Sequence, residues 1–180
     1  MTSLPKKITT LHKALAKADI QHAFGGALAL AWCTLQARGT VDIDVNIFVG
    51  AARARQVFDA LPKTISRSAE DLETVIKDGQ VRLWWDNTPL DIFLNTTDFH
   101  EQAAQRLRWE EFIGEQIPFL ACKDLAVFKA FFNRSRDWAD LEEMRDAGTL
   151  DIDQVVAVLV KYLGPEDERI DRLRELQQPR

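Results

Sequence analysis

From Val41 to Val49 the chain alternates without a break: Val41, Ile43, Val45, Ile47 and Val49 are apolar, and Asp42, Asp44, Asn46 and Phe48 fill the positions between. Successive side chains of a strand point to opposite faces, so this run reads as a strand with one apolar face set into a core. The opposite face then carries two carboxylates. Residues two apart on a strand project to the same side with Cα atoms about 6.6 Å apart, near enough for both carboxylates to converge on shared cations. A second run, Leu90, Ile92 and Leu94 alternating with Asp91 and Phe93, repeats the pattern and adds a third acid. With the two strands neighbouring in register, Asp42, Asp44 and Asp91 share one face.

Two other readings compete for the acidic strand. Aspartates facing water from a half-exposed sheet are the plain alternative. Asp42, Asp44 and Asn46 also match the first, third and fifth positions of a calcium loop, but Ile47 stands where that loop needs Gly and Arg53 where it needs Glu.

The remaining elements follow from periodicity. Leu4, Ile8, Leu11, Leu15 and Ala18 recur at helical steps over Leu4–Asp19. "IQHAF", Gly25-Gly26 and "ALALAWCTLQA" read as short strand, turn and helix. "AARARQVFDALP" is helical and closed by Pro62, and a helix over Glu70–Lys77 precedes the Asp78-Gly79 turn. "QVRLWWD" and "PLDIFL" form a hairpin joined through Asn87, Thr88 and Pro89; "WEEFIGEQIPFL" is a short hairpin, and helices follow from Lys123. The expectation is an α+β fold, with a strand-bearing core over 1–110 and a mainly helical region over 111–180 packed on it as a single compact unit.

Composition narrows the function. At 180 residues and 46% hydrophobic the chain can bury one sizeable core. A net charge of -5 argues against a protein that coats nucleic acid through overall basicity. No apolar stretch is long enough to span a bilayer and the N-terminus lacks a secretory apolar region, so a soluble, cytoplasmic protein without a membrane partner is expected. Cys33 and Cys122, with no Cys-x-x-Cys spacing, read as two half-buried free thiols.

Upstream of the acids, the Gly25-Gly26 turn opening a helix lets backbone approach a ligand and exposes amides that attract phosphate oxygens. A glycine turn beside paired acids makes a triphosphate cradle next to a cation platform. Two divalent ions about 3.5–4 Å apart suit in-line phosphoryl transfer, and Mg²⁺, with Mn²⁺ as substitute, favours such hard oxygen ligands.

"AFGGALALAW", "RGTVDIDVNIFV" and "LDIFL" together resemble the polymerase-beta-like nucleotidyltransferase superfamily. Arg38-x-Thr40-x-Asp42-x-Asp44 is similar to its minimal nucleotidyltransferases and its AbiEii-type toxin group. "FLACKDLAVFKAFFNRSRDWADLEEM", with Asp124, Leu125, Lys129, Arg134, Asp137 and Asp140, resembles a later segment of that group. The resemblance implies a mixed, twisted sheet flanked by helices with a C-terminal helical region. The implied reaction transfers a nucleoside monophosphate from a nucleoside triphosphate to an acceptor hydroxyl. In it Asp42 and Asp44 would hold a two-ion Mg²⁺ site and Asp91 would bind one ion and help activate the hydroxyl. Gly25, Gly26, Arg38, Thr40, Lys129 and Arg136 would bind the nucleotide. The acceptor would be RNA, tRNA or a protein, with an antitoxin as partner if the chain acts in a toxin–antitoxin or phage-defence pair. A catalytically idle nucleotide-binding module is one alternative. An aminoglycoside-like modifier using the acidic run "EEFIGE" is another.

Other standouts carry milder expectations. Asp137 and Asp140 are expected to pair with Arg134 or Arg136 and secure the helices. His22 reads as a partly buried histidine. Trp84, Trp85, Trp109 and Trp138 read as core, Trp138 being the one worth testing as a base platform. Arg53, Arg55, Lys63 and Arg67 read as a solvated face more than an RNA-facing patch.

Overall fold

The structure is a computed structural model in which residues 2–177 are described. The chain divides into two compact units, Met1–Leu28 with Gly39–Leu120, and Ala29–Arg38 with Ala121–Arg180.

The first unit is built on one mixed sheet. Its strands are β1 (His22–Phe24), β2 (Ile43–Gly50), β3 (Ile65–Ser66), β4 (Gln80–Trp85), β5 (Thr88–Asn95), β6 (Arg108–Phe112) and β7 (Glu115–Phe119), in the order β3-β4-β5-β2-β1-β7-β6. Parallel pairing joins β2 to β5 and β1 to β7; the other neighbours are antiparallel. The two acidic strands are therefore adjacent, which meets the condition under which their acids share one face. Ile43, Val45 and Ile47 and, beside them, Leu90, Ile92 and Leu94 are at most 1% exposed, which fixes the register because a one-residue slip would turn every one of them outward.

Val41 departs from expectation. It is 72% exposed and lies before β2, because strand pairing begins only at Ile43 opposite Leu90. Pro89 falls inside β5 instead of in the turn. It tolerates that place because β2 pairs β5 only from Leu90 onward, so its missing N–H has no partner to disappoint on that side. The hairpin turn is Asp86-Asn87, with Asp86 at φ 52. Helix α1 (Leu4–Lys17) clamps it: Lys7, 1% exposed, donates from Nζ to the Trp85 carbonyl at 2.6 Å and to Thr88 Oγ1 at 3.0 Å, and lies 3.2 Å from Asp86.

Helix α2 (Gly26–Thr34) starts at the glycine turn. A 3₁₀ turn at Ala51–Arg53 leads into α3 (Ala54–Ala60), and Arg67 donates to the carbonyls of Leu61, Pro62 and Ile65, so it braces this loop and is no part of a ligand-facing patch. Helix α4 (Ala69–Asp78) opens on a Ser68–Asp71 capping box and ends at Gly79 with φ 72. Helix α5 (Asp98–Ala103), like the two-residue β3, is too short to show in the sequence.

The second unit holds α6 (Cys122–Phe132), α7 (Ser135–Asp146), α8 (Ile152–Leu163) and α9 (Glu168–Leu176), with α6 packed on α7 and α8, and α8 on α9. Its core includes Leu125, Trp138, Leu141, Leu159 and Leu173, each at most 2% exposed. Trp138 is no base platform: its ring is interior, donates from Nε1 to Asn133 and stacks under Arg172. Cys33 and Cys122 form a disulfide with Cα atoms 5.6 Å apart, correcting the expectation of two free thiols. The pairing joins residues 89 apart in the sequence, so spacing alone could not reveal it.

Candidate active site

The acids sit where two strands run side by side. Asp44 on β2 is the direct cross-strand partner of Asp91 on β5, and Asp42 stands just ahead of β2, two residues before Asp44. Thr40 orients Asp42, since its Oγ1 accepts the Asp42 backbone N–H at 3.2 Å. The carboxylates of Asp42 and Asp91 are 25% and 17% exposed, so both are lodged on the sheet yet open to a ligand.

Gly25 and Gly26 press against this face. The Gly25 N–H donates to the Asp44 carbonyl at 2.9 Å, so the amide that the sequence reading offers to a phosphate is already engaged with β2. A Cβ on Gly26 would lie 2.0 Å from Asp44 Oδ2, and Gly26 has φ 52, a conformation costly for any residue with a side chain. The glycine is thus required by the carboxylate. Asn46, the next residue on the same face, is 6% exposed, and its Oδ1 would lie 3.2 Å from a Cβ on Gly25.

The residue sequence reasoning missed is Arg82. It pairs with Asp91 across the β4–β5 ladder, donating from Nε to Oδ1 and from Nη2 to Oδ2, each at 2.7 Å. The same Nη2 is 4.0 Å from Asp42 Oδ2. Hydrogen bonding to Asp91 is the largest influence that raises the Arg82 pKa, with the charges of Asp91, Asp42 and Asp44 adding to it. The guanidinium therefore lies between Asp91 and Asp42. The signal was present in "QVRLWW", whose alternation puts Arg82 and Trp84 on the exposed face, and Trp84 is 48% exposed.

Three carboxylates on one face suit Mg²⁺ in donor type. Their arrangement does not: among the described residues no three acidic, imidazole or thiol groups stand together closely enough to hold a metal ion. Arg82 is the cation found among them.

Three residues assigned to nucleotide binding, Arg38, Lys129 and Arg136, belong to the second unit. Lys129, 6% exposed, donates to Asp140 Oδ2 at 2.5 Å and lies 3.7 Å from Asp137. Arg38 donates to Asp140 Oδ1 at 2.5 Å, and Arg134 to Asp137 at 2.7 Å. The buried Asp137 and Asp140 thus hold one buried cation, Lys129, and two exposed ones, Arg38 and Arg134, in a network within the helical unit. Arg134 takes part in it, whereas Arg136 is exposed on α7.

On β1, His22 is 4% exposed. Its Nδ1 lies 2.8 Å from the Ile20 carbonyl and its Nε2 3.0 Å from His12 Nδ1, an arrangement that makes Nδ1 of each ring the proton carrier. Burial, more than any other influence, pushes the His22 pKa down to about 4, and burial lowers His12 as well.

No protein-family model matches the chain, and no curated protein matches it. Solved structures do match it in shape. The solution structure of the antibiotic-resistance factor ANT(2'')-Ia superposes with a TM-score of 0.59 at 12% identity, covering 96% of this chain and 94% of that one. The chain has the nucleotidyltransferase fold. The crystal structure of ANT(2'')-Ia in complex with adenylyl-2''-tobramycin gives a TM-score of 0.58 at 12% identity, over 98% of this chain and 100% of that one. An antigenic nucleotidyltransferase-like protein from Paracoccidioides brasiliensis gives 0.51 at 12% identity, over 96% and 85%. At such identity the likeness is one of nucleotidyltransferase architecture.

Proposed function

We propose that this chain is a nucleotidyltransferase that moves a nucleoside monophosphate from a nucleoside triphosphate to an acceptor hydroxyl. The observation that carries this reading is the pairing of Asp44 with Asp91 beside Gly26, whose missing side chain leaves room for the Asp44 carboxylate. Phosphoryl transfer is mostly positioning and charge stabilisation, so a rigid sheet face of fixed carboxylates next to a close-approach turn is a sufficient framework. In the reaction the acceptor oxygen bonds to the α-phosphorus, the bond to the pyrophosphate oxygen breaks, and the hydroxyl proton passes to a base. Asp91, now ion-paired with Arg82, would serve as that base. Mg²⁺ or Mn²⁺ stays part of the proposal as the cation that Asp42, Asp44 and Asp91 would hold, and no step is assigned to it.

The proposed acceptor is RNA, tRNA or a protein. In the β6–β7 hairpin, Glu110 pairs with Arg108 and Glu115 with Lys13, which leaves the acidic run less free to hold a polycationic acceptor. Membership of the AbiEii-type group, with a cognate antitoxin, rests on the Arg38-x-Thr40-x-Asp42-x-Asp44 pattern. The test is incubation with each base-labelled triphosphate in a total RNA and protein extract. Label in RNA or protein that is lost with Asp44→Asn supports the reading; label in neither, or label indifferent to the substitution, rejects it.

A further inference from the structure

The sheet ends on a strand with one bare side. β6 pairs with β7, and among the described residues no strand lies beyond it. Which of its backbone groups face outward follows from the ladder. Leu120 N–H donates to the Phe24 carbonyl at 2.9 Å, so Phe119, Ile117 and Glu115, out of phase with Leu120, turn their backbone groups toward β6. Their partners Arg108, Glu110 and Phe112 are thus engaged with β7, and Trp109 and Glu111 present N–H and C=O to the edge. The Ile113-Gly114 turn agrees with this phase. Its φ values of 52 and 73 are those of a tight hairpin turn closed by a hydrogen-bonded pair, here Phe112 with Glu115.

Edge strands are commonly blunted by lysine, proline or a bulge. This one has none of them and carries Trp109, 57% exposed, with Ile113, 65% exposed, just beyond it. Arg108 and Glu110 project to one face and pair with each other, while Trp109 projects to the other, edge-on to His12 of α1. A second copy can meet such an edge antiparallel about a twofold axis, and the charges then choose the register. Centring on Glu110 or on Glu111 sets like charges directly opposite each other. Centring on Trp109 sets Trp109 against Trp109 and Arg108 opposite Glu110 of the second copy, twice, so each cation has one anion along its own strand and another across the axis. We propose that β6 is a self-pairing edge, through which two copies of this chain join about Trp109 into one continuous sheet. The inference goes beyond the transferase reading and does not depend on it. A short ladder with one aromatic pair and exposed ion pairs makes a weak, salt-sensitive dimer.

The test is sedimentation equilibrium of the full chain over a concentration series, at low and at high NaCl. The wild type should dimerise, less so at high salt. Arg108→Glu makes all four charges at the axis acidic and Glu110→Arg makes them all basic, so each variant alone should dimerise about tenfold more weakly or worse. An equimolar mixture of the two restores every opposite-charge pair and should regain the dimer. Glu111→Pro removes an outward N–H while sparing the ladder to β7, and should weaken the dimer where Glu111→Ala does not.

A wild type that stays monomeric throughout the series overturns the proposal. A dimer that persists unweakened in Arg108→Glu and Glu111→Pro lies on another surface and overturns it too. Loss of the dimer in both charge variants without recovery in their mixture overturns the register about Trp109, and the proposal with it. Because recovery requires both single variants to be folded, loss through unfolding cannot pass for support.

Discussion

Replacing Gly26 with alanine probes the site through a single added methyl group. Two costs arise. Holding a residue with a side chain at φ 52 costs about 1–2 kcal/mol. The new Cβ would also meet Asp44 Oδ2 at 2.0 Å and Cγ at 2.5 Å, and since β2 is pinned between β1 and β5, the Asp44 side chain must be the part that moves. Forcing it off its rotamer adds about 1 kcal/mol. The sum, about 2–3 kcal/mol, predicts a melting temperature lower by about 5–10 °C, together with loss of nucleotidyl transfer because Asp44 no longer faces Asp91. A double-mutant cycle separates the two costs: Asp44→Ala removes the carboxylate, so Gly26→Ala should cost about 1 kcal/mol less in that background. Urea unfolding of the four proteins gives the answer. Equal cost in both backgrounds would refute the claim that the carboxylate is what demands a glycine. Gly25→Ala serves as the comparison and should be milder, since its nearest neighbours are side-chain atoms at 3.2 Å.

Other outcomes follow from the same geometry. His22 has a folded pKa of about 4 against 6.5 when unfolded, so the unfolded state binds more protons between those values. Stability is then full above pH 6.5 and lost as pH falls toward 4, by about 2 kcal/mol at pH 5, and His22→Gln should flatten that slope in denaturant titrations. Asp140→Asn leaves the buried Lys129 short of a counter-charge and frees the exposed Arg38, and should lower the stability of the helical unit by about 3 kcal/mol; a urea midpoint equal to wild type contradicts this. Oxidised protein unfolded in guanidinium without reductant should show no reactive thiol toward a thiol reagent, and both cysteines should appear after reduction.

What the sequence disclosed and what it hid have physical causes. The acidic strands were legible because alternation with buried aliphatic residues leaves only one face for Asp44 and Asp91, whereas their adjacency, a pairing between strands over forty residues apart, could only be a condition until the sheet order was known. Long helices were legible for a similar reason. Lys7 was hidden because its buried role depends on a hairpin turn nearly eighty residues away, where Trp85 and Thr88 supply its partners. Arg82 was within reach: with the turn placed at Asp86-Asn87, antiparallel counting pairs it with Asp91. Placing the turn at Asn87, Thr88 and Pro89 concealed that pairing. Lys129 looked like a ligand-facing lysine because the acids that hold it, Asp137 and Asp140, reach it only once α6 and α7 pack together.

The central claim is that the carboxylates of β2 and β5 form one site for nucleotidyl transfer. Its most direct test supplies triphosphate labelled at either the α- or the γ-phosphate and follows the label into the acceptor with wild type, Asp44→Asn and Asp91→Asn proteins. The account predicts incorporation from the α-label only, and loss of it with either substitution. Incorporation from the γ-label, or wild-type transfer by either variant, would contradict it.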